Sequence, residues 1–303
     1  MLFRSIRTAV IMPPPLPPDR SDDRLIDGYF EVASTHPGRF VVAAGGATLN
    51  GMIHETRPDQ VTERLRERFT AQAEALVRRG AVAFGEMTAL HFAVFGGHPF
   101  EETAPDHPLF LLLADLAAKH DVPIDLHIEA VARDWPVSDE LHRRSSDNPE
   151  RVAENLAAFE RLLAHNRRAR IIWVHVGMDL TGERTTDLTR RLLRENANLF
   201  LSITGHQIAE GNDWFFKPGT GLNPRWRALI LEFPDRFMIG TDTFFQPDNP
   251  MNKMPDRTAL ALGVTAGAGL PPDIKRKLAF ENAQRLFKLK GPEEPERMAR
   301  PAP

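Results

Sequence analysis

The sequence predicts an α/β fold of the (β/α)8-barrel type that stops one strand short of closure. Three observations carry that expectation. Seven short apolar runs alternate with amphipathic helical segments. Most of the runs are continuously apolar, the pattern of parallel strands buried on both faces. Polar residues stand at the C-terminal ends of several different runs, where barrels build their sites. A doubly wound sheet would want a glycine-rich turn after its first strand, but Gly45, Gly46 and Gly51 lack the spacing and the first run ends in prolines.

Taken in order, the first strand is expected at residues 8–12 and is cut off by Pro13, Pro14 and Pro15. The four-residue apolar run that precedes the prolines is too short for a secretory signal, so a cytoplasmic chain is expected. Further strands are predicted at 39–44, 81–86, 124–129, 171–176, 199–204 and 237–240. In the segment 58–79, Val61, Leu65, Phe69, Ala73 and Leu76 recur at helical spacing, with Gly80 placed to end the helix. Residues 149–168 carry Val152, Leu156, Phe159 and Leu163 on one face, and 272–289 opens with Pro272-Asp273 and aligns Ile274, Leu278, Asn282 and Leu286. The charged stretch 183–191 reads as a solvated helix face. No linker or repeat divides residues 1–290, a single domain, and 291–303 reads as a disordered tail.

The count is seven strands where a closed barrel needs eight. The gap falls at the N-terminus, between strands 8–12 and 237–240. Two unpaired strand edges favour association of copies, so poor solubility or homo-oligomerisation is expected.

Composition narrows the partners. The 303 residues carry a net charge of −3, which excludes a basic stripe for nucleic acid. No apolar run nears the roughly 18 residues of a membrane span. The absence of cysteine removes thiolate metal sites, iron–sulfur clusters and cysteine nucleophiles together. A small-molecule substrate is expected, and any metal must be held by nitrogen and oxygen.

Candidate ligands follow from the strand ends. His127 and Glu129 close one strand two residues apart, hence on one side. His175 closes the next and is followed by Val176-Gly177; Asp242 follows Gly240-Thr241, and Glu86 follows Gly85. Singly, a strand-end histidine is more often a hydrogen-bonded structural residue, and a strand-end aspartate a helix cap. Jointly, four titratable groups at four strand ends point to one metal site of imidazole and carboxylate, suited to zinc first and to manganese or iron as alternatives. His91, Arg133 and His206, in the segments after the strands, are expected to contact a polar substrate together with Glu129. Phe244, Phe245 and Trp214 could line an apolar wall.

The ordered set Gly85-Glu86, His127, His175-Val176-Gly177 and Gly240-Thr241-Asp242 resembles the metal-dependent amidohydrolase superfamily, in its amidohydrolase-related branch. The closing Asn282-Ala283-Gln284-Arg285-Leu286-Phe287 is similar to that branch's last helix. The resemblance spans about Ile6 to Phe287. It implies that His127 and His175 ligate metal, that Asp242 binds metal or moves protons, and that Glu86 stands where relatives place a bridging carboxylate or carbamylated lysine. The implied activity is hydrolysis of an amide, lactone or ester, with decarboxylation of an aromatic or unsaturated acid as the alternative and an inactive barrel as a third reading. One departure is plain. No His-x-His pair occurs in the chain, and the stretch before the first strand resembles the approach to the family's second strand, so an N-terminal strand missing from this chain is the favoured account.

Overall fold

The computed structural model describes residues 6–20, 22, 24–94, 99–209, 215–217, 221–244, 262–263 and 269–289, without the side chains of 205–209 and 217. Seven parallel strands form a curled half-barrel sheet in sequential order: β1 (Ala9–Ile11), β2 (Phe40–Gly45), β3 (Ala83–His91), β4 (Ile124–Ile128), β5 (Ile171–Asp179), β6 (Leu199–Ala209) and β7 (Phe237–Ile239). Helices link them: α1 (Leu25–Thr35), α2 (Leu49–His54), α3 (Glu63–Arg78), α4 (Pro108–His120), α5 (Asp139–Arg144), α6 (Leu156–His165), α7 (Thr186–Glu195) and α8 (Pro224–Glu232). All seven expected strands are present. Among the described residues none bridges β1 and β7, which form the two edges of the sheet as the strand count predicts.

Alternation along each strand sorts its side chains into two layers. Val42, Ile171, Trp173, Leu199, Leu201 and Phe237 belong to the large core shared with the helices. Ala43, Ala83, Ile172, Val174, Phe200 and Met238 form a second cluster on the other face, to which the final helix adds Leu286 and Phe287. That helix comprises Pro272–Arg276, a π-helical Lys277–Glu281 and Asn282–Phe287. It runs along the N-terminal ends of the strands. Asn282 donates from Nδ2 to Pro234 O and Phe237 O, both at 2.8 Å, and Lys288 pairs with Asp121 just before β4. One end of the half-barrel is thus stoppered, which leaves the C-terminal ends for chemistry.

The helix readings need two corrections. The segment 58–79 starts as a 3-10 turn at Pro58–Gln60 and becomes α3 only at Glu63, where the Thr62 hydroxyl accepts from Leu65 N at 3.3 Å. The segment 149–168 is helical only over α6. Arg151–Val152 instead pairs antiparallel with Trp135–Pro136, and Asn148 pins the approach by accepting from Ala93 N and donating to Ala93 O and Leu141 O. Helix α2, unpredicted, has five buried residues, Leu49 to Ile53; with no polar face it shows no amphipathic period. The tail 291–303 lies outside the described residues.

Asn282 is 1% exposed and satisfies two carbonyls at the foot of β7. Asn282→Ala leaves both without that donor, and we expect a loss of about 1–3 kcal/mol, read from the midpoint of urea unfolding.

Candidate metal centre

Two strand irregularities aim the central side chains. The β3–β4 register runs Phe84↔Ile124 and then shifts to Met87↔Leu126, with Glu86 inside the shift. The β5–β6 register shifts between Trp173 and Val176, and His175 lies there at φ 64°. Bulges of this kind turn a side chain away from strict alternation. A non-glycine residue in the left-handed region costs on the order of 1 kcal/mol or more and persists where its surroundings hold it. Asp242 shares that conformation at φ 51°. The glycines of the two strand-end motifs have steric causes: a Cβ on Gly85 would stand 2.7 Å from Asp125 Cβ, and one on Gly240 would stand 2.9 Å from Ser202 Cβ.

The result is a compact cluster. Glu86 Oε1 accepts from His127 Nδ1 at 3.0 Å and from His175 Nε2 at 3.1 Å. The rings of His127 and His175 meet edge-on at 4.8 Å between centroids, and His91 adds a third ring 4.7 Å from His127. The outer nitrogen of His127, Nε2, lies 3.6 Å from Glu129 Oε1, an ion-pair separation rather than a hydrogen bond. Glu129 Oε2 accepts from Leu180 N at 3.2 Å. Burial opposes charge on His127, but the carboxylates Glu129 and Glu86 outweigh it and lift the imidazole to about 9. Burial likewise works to raise Glu86, and the charges and hydrogen bonds of His175 and His127 overcome it, holding the carboxyl well below its usual range.

The donor set fits a divalent cation. One carboxylate and two imidazoles suit zinc and its neighbours, and their ligating atoms lie within 4.8 Å of one another. Glu129 stands behind His127 as the carboxylate partner that metal-binding imidazoles characteristically have. His175 turns Nε2 to the Glu86 carboxylate, and its Nδ1 is buried without a hydrogen-bond partner.

Of the sequence-predicted residues, the structure therefore gathers Glu86, His127 and His175, with His91 and Glu129 against them. Asp242 stands at the same sheet end, outside that trio, where its charge helps raise the buried Asp125. Glu129 is 2% exposed with both oxygens turned to protein, a support for His127 rather than an open substrate contact. Arg133 is exposed in the loop after β4. His206 falls in β6 where side chains lie outside the described residues, as do Phe245 and Trp214.

Sequence reasoning passes over three buried titratable groups. Asp125 shares the face of His127 and Glu129 by simple alternation in Ile124-Asp125-Leu126-His127-Ile128-Glu129, a signal that was there to be used. Burial first, then the charges of Glu86 and Asp242, push it well above its usual range. Glu101 pairs across from His91 in a short antiparallel addition to β3, and Asn50 Nδ2 donates to its Oε1 at 3.0 Å. The third is Arg184, buried at 4% exposure where the charged run 183–191 reads as solvated.

Comparison with known proteins now adds its findings. The family model described as Amidohydrolase matches residues 20–289. The chain belongs to that family. Among solved structures it is similar to 2,6-dihydroxybenzoate decarboxylase from Rhizobium, at 18% identity and a TM-score of 0.57 over 96% of this chain and 87% of that one. It is also similar to a protein described as amidohydrolase II, at 13% identity and a TM-score of 0.54 over 95% and 86%. A dihydroorotase from Campylobacter jejuni follows at 14% identity and a TM-score of 0.50 over 94% and 77%. These likenesses show the barrel fold. No curated protein matches the sequence. Among the described residues no helix is long and apolar enough to cross a membrane.

Glu101 gives a pH test. Burial pushes its carboxyl from 4.5 up to about 7, so the folded state keeps a proton that the unfolded chain releases between those values. Stability from this group is fully present below about 4.5 and is lost as pH rises from there through about 7, by on the order of 3 kcal/mol. Glu101→Gln, which mimics the protonated form, is expected to flatten the fall in urea midpoint between pH 5 and pH 7.5.

Proposed function

We propose that the chain is a metal-dependent hydrolase that opens an amide, lactone or other ester bond of a small polar substrate. The observation that supports this most is the meeting of Glu86 with His127 and His175 at the open end of an amidohydrolase-family half-barrel. Those three residues would hold a divalent cation, zinc in first place with manganese or iron as alternatives. Such an ion, when bound, supplies Lewis acidity toward the scissile carbonyl and makes water acidic near neutral pH.

The remaining work falls to the chain. Asp242, in the left-handed region after β7, is the group for accepting the proton of the attacking water and returning it to the leaving atom. Glu129 orients His127 by its contact with Nε2, and Glu86 orients His175 through Nε2. The imidazole of His91 meets His127 edge-on and walls the site on the β3 side, while Arg133 and His206 come from segments that rim the open end and would read the substrate's polar groups.

Two measurements test the reading together. Turnover on amide, lactone and ester panels, with product analysis, is expected to show hydrolysis, and Asp242→Asn is expected to lower it by at least about 10²-fold. Bound metal should fall further in His127→Ala and His175→Ala than in Asp242→Asn. Turnover of Asp242→Asn within a few-fold of the parent removes the proton-transfer role, and release of carbon dioxide identifies a lyase instead.

A further inference from the structure

The two histidines sit on neighbouring strands whose backbone ladder ends just before them. β4 and β5 pair at Ile124↔Ile171, Asp125↔Ile172 and Leu126↔Trp173, and no further. His127 is the next residue on one strand, and His175 lies two beyond on the other, inside a register shift. Something other than the sheet must therefore fix the spacing of the strands at the height of the imidazoles.

Arg184 is placed to do so. Its Nη1 donates to Val174 O at 2.6 Å and its Nη2 to Ile128 O at 3.1 Å. These carbonyls belong to the residue just before His175 and the residue just after His127. Trp173 Nε1 also donates to Ile128 O, at 2.8 Å, and the guanidinium lies 4.1 Å over the Trp173 ring. A planar fork with divergent donors can bridge two carbonyls on adjacent strands at a set separation, which a lysine ammonium on a flexible stem cannot reproduce.

The turn after β5 is built to deliver this side chain. Asp179 Oδ1 accepts from Gly182 N at 2.9 Å and Oδ2 accepts from Arg184 N at 3.1 Å, so the chain reverses within five residues. Thr181 Oγ1 anchors the reversal by donating to Ala130 O at 2.6 Å. Core filling alone is a poor explanation for a buried guanidinium, since an apolar side chain of similar volume avoids the desolvation cost. Burial lowers the guanidinium to about 10, and the charges of Glu129 and Asp179 offset only part of that cost.

We infer that Arg184 is a positioning residue, which staples the ends of β4 and β5 and so sets the spacing and ring orientation of His127 and His175. It touches neither ring. Its influence passes through the two carbonyls flanking them, and it depends on the metal-centre reading only for what the spacing is used for.

The test uses the full chain as the parent and as Arg184→Lys, Arg184→Met and Thr181→Ala. Imidazole nitrogen NMR signals are recorded without metal, cobalt(II) is then titrated in, and thermal unfolding confirms that each variant is folded. Arg184→Lys keeps a charge beside Glu129 and Asp179 but loses the fork. It is expected to shift or broaden the His127 and His175 signals, to leave exposed His165 unmoved, and to weaken cobalt(II) binding at least tenfold. Thr181→Ala, which loosens the turn without removing a charge, should move the same two signals by less. Unmoved His127 and His175 signals in the folded variants overturn the proposal. A parent that binds no cobalt(II) removes the metal reading instead, and the imidazole signals still decide the role of Arg184.

Discussion

One carboxylate oxygen shared between two buried imidazoles organises the open end of this half-barrel. Glu86 Oε1 lies within hydrogen-bond reach of both His127 and His175, and buried charges must be paired or they neutralise. Sign alternation continues outward from that point: Glu86, then His127, then Glu129, then Arg184 with Asp179 beside it. Each member makes the next tolerable, and removing any one exposes its neighbours to the full cost of desolvation. The buried row consequently ties β3, β4, β5 and the turn after β5 to one another through charge as well as through the backbone.

The sheet supplies what the charges cannot. Parallel strands with apolar residues on both faces leave no room for polar groups except at their ends. At the N-terminal ends the final helix adds Leu286 and Phe287 to the inner apolar cluster, so that end is sealed. At the C-terminal ends the registers of β3 with β4 and of β5 with β6 break, and the breaks turn Glu86 and His175 inward. Regularity builds the scaffold, and local departures from it build the site.

Much of this was legible in the sequence. Continuous apolar runs located all seven strands, and the strand count located the opening between β1 and β7. The glycines before Glu86 and Asp242 stand in the sequence as parts of motifs, and the structure supplies their cause, the close approach of Asp125 and Ser202. The misreadings share a physical origin. The segment 149–168 has a helical spacing of apolar side chains, but contacts distant in sequence, through Asn148 and the pairing of Arg151–Val152 with Trp135–Pro136, keep its first residues out of the helix. Arg184 looked solvated because its neighbours in the chain are charged, while its actual surroundings are Trp173 and two carbonyls from other strands.

The sequence by itself determined the strand order, the layer each strand residue enters, and which titratable groups stand near the strand ends. These follow from periods of two and 3.6 residues, which act over a few neighbours and need no knowledge of the rest. Only the tertiary structure decided that Glu86 serves both histidines, that Asp242 stands outside their trio, that Glu129 turns to His127, and that Arg184 reaches behind both strands. Each of those outcomes depends on a register shift or a reversed turn, where a displacement of a single residue changes which side chains meet, and hydrophobic patterning is blind to such shifts.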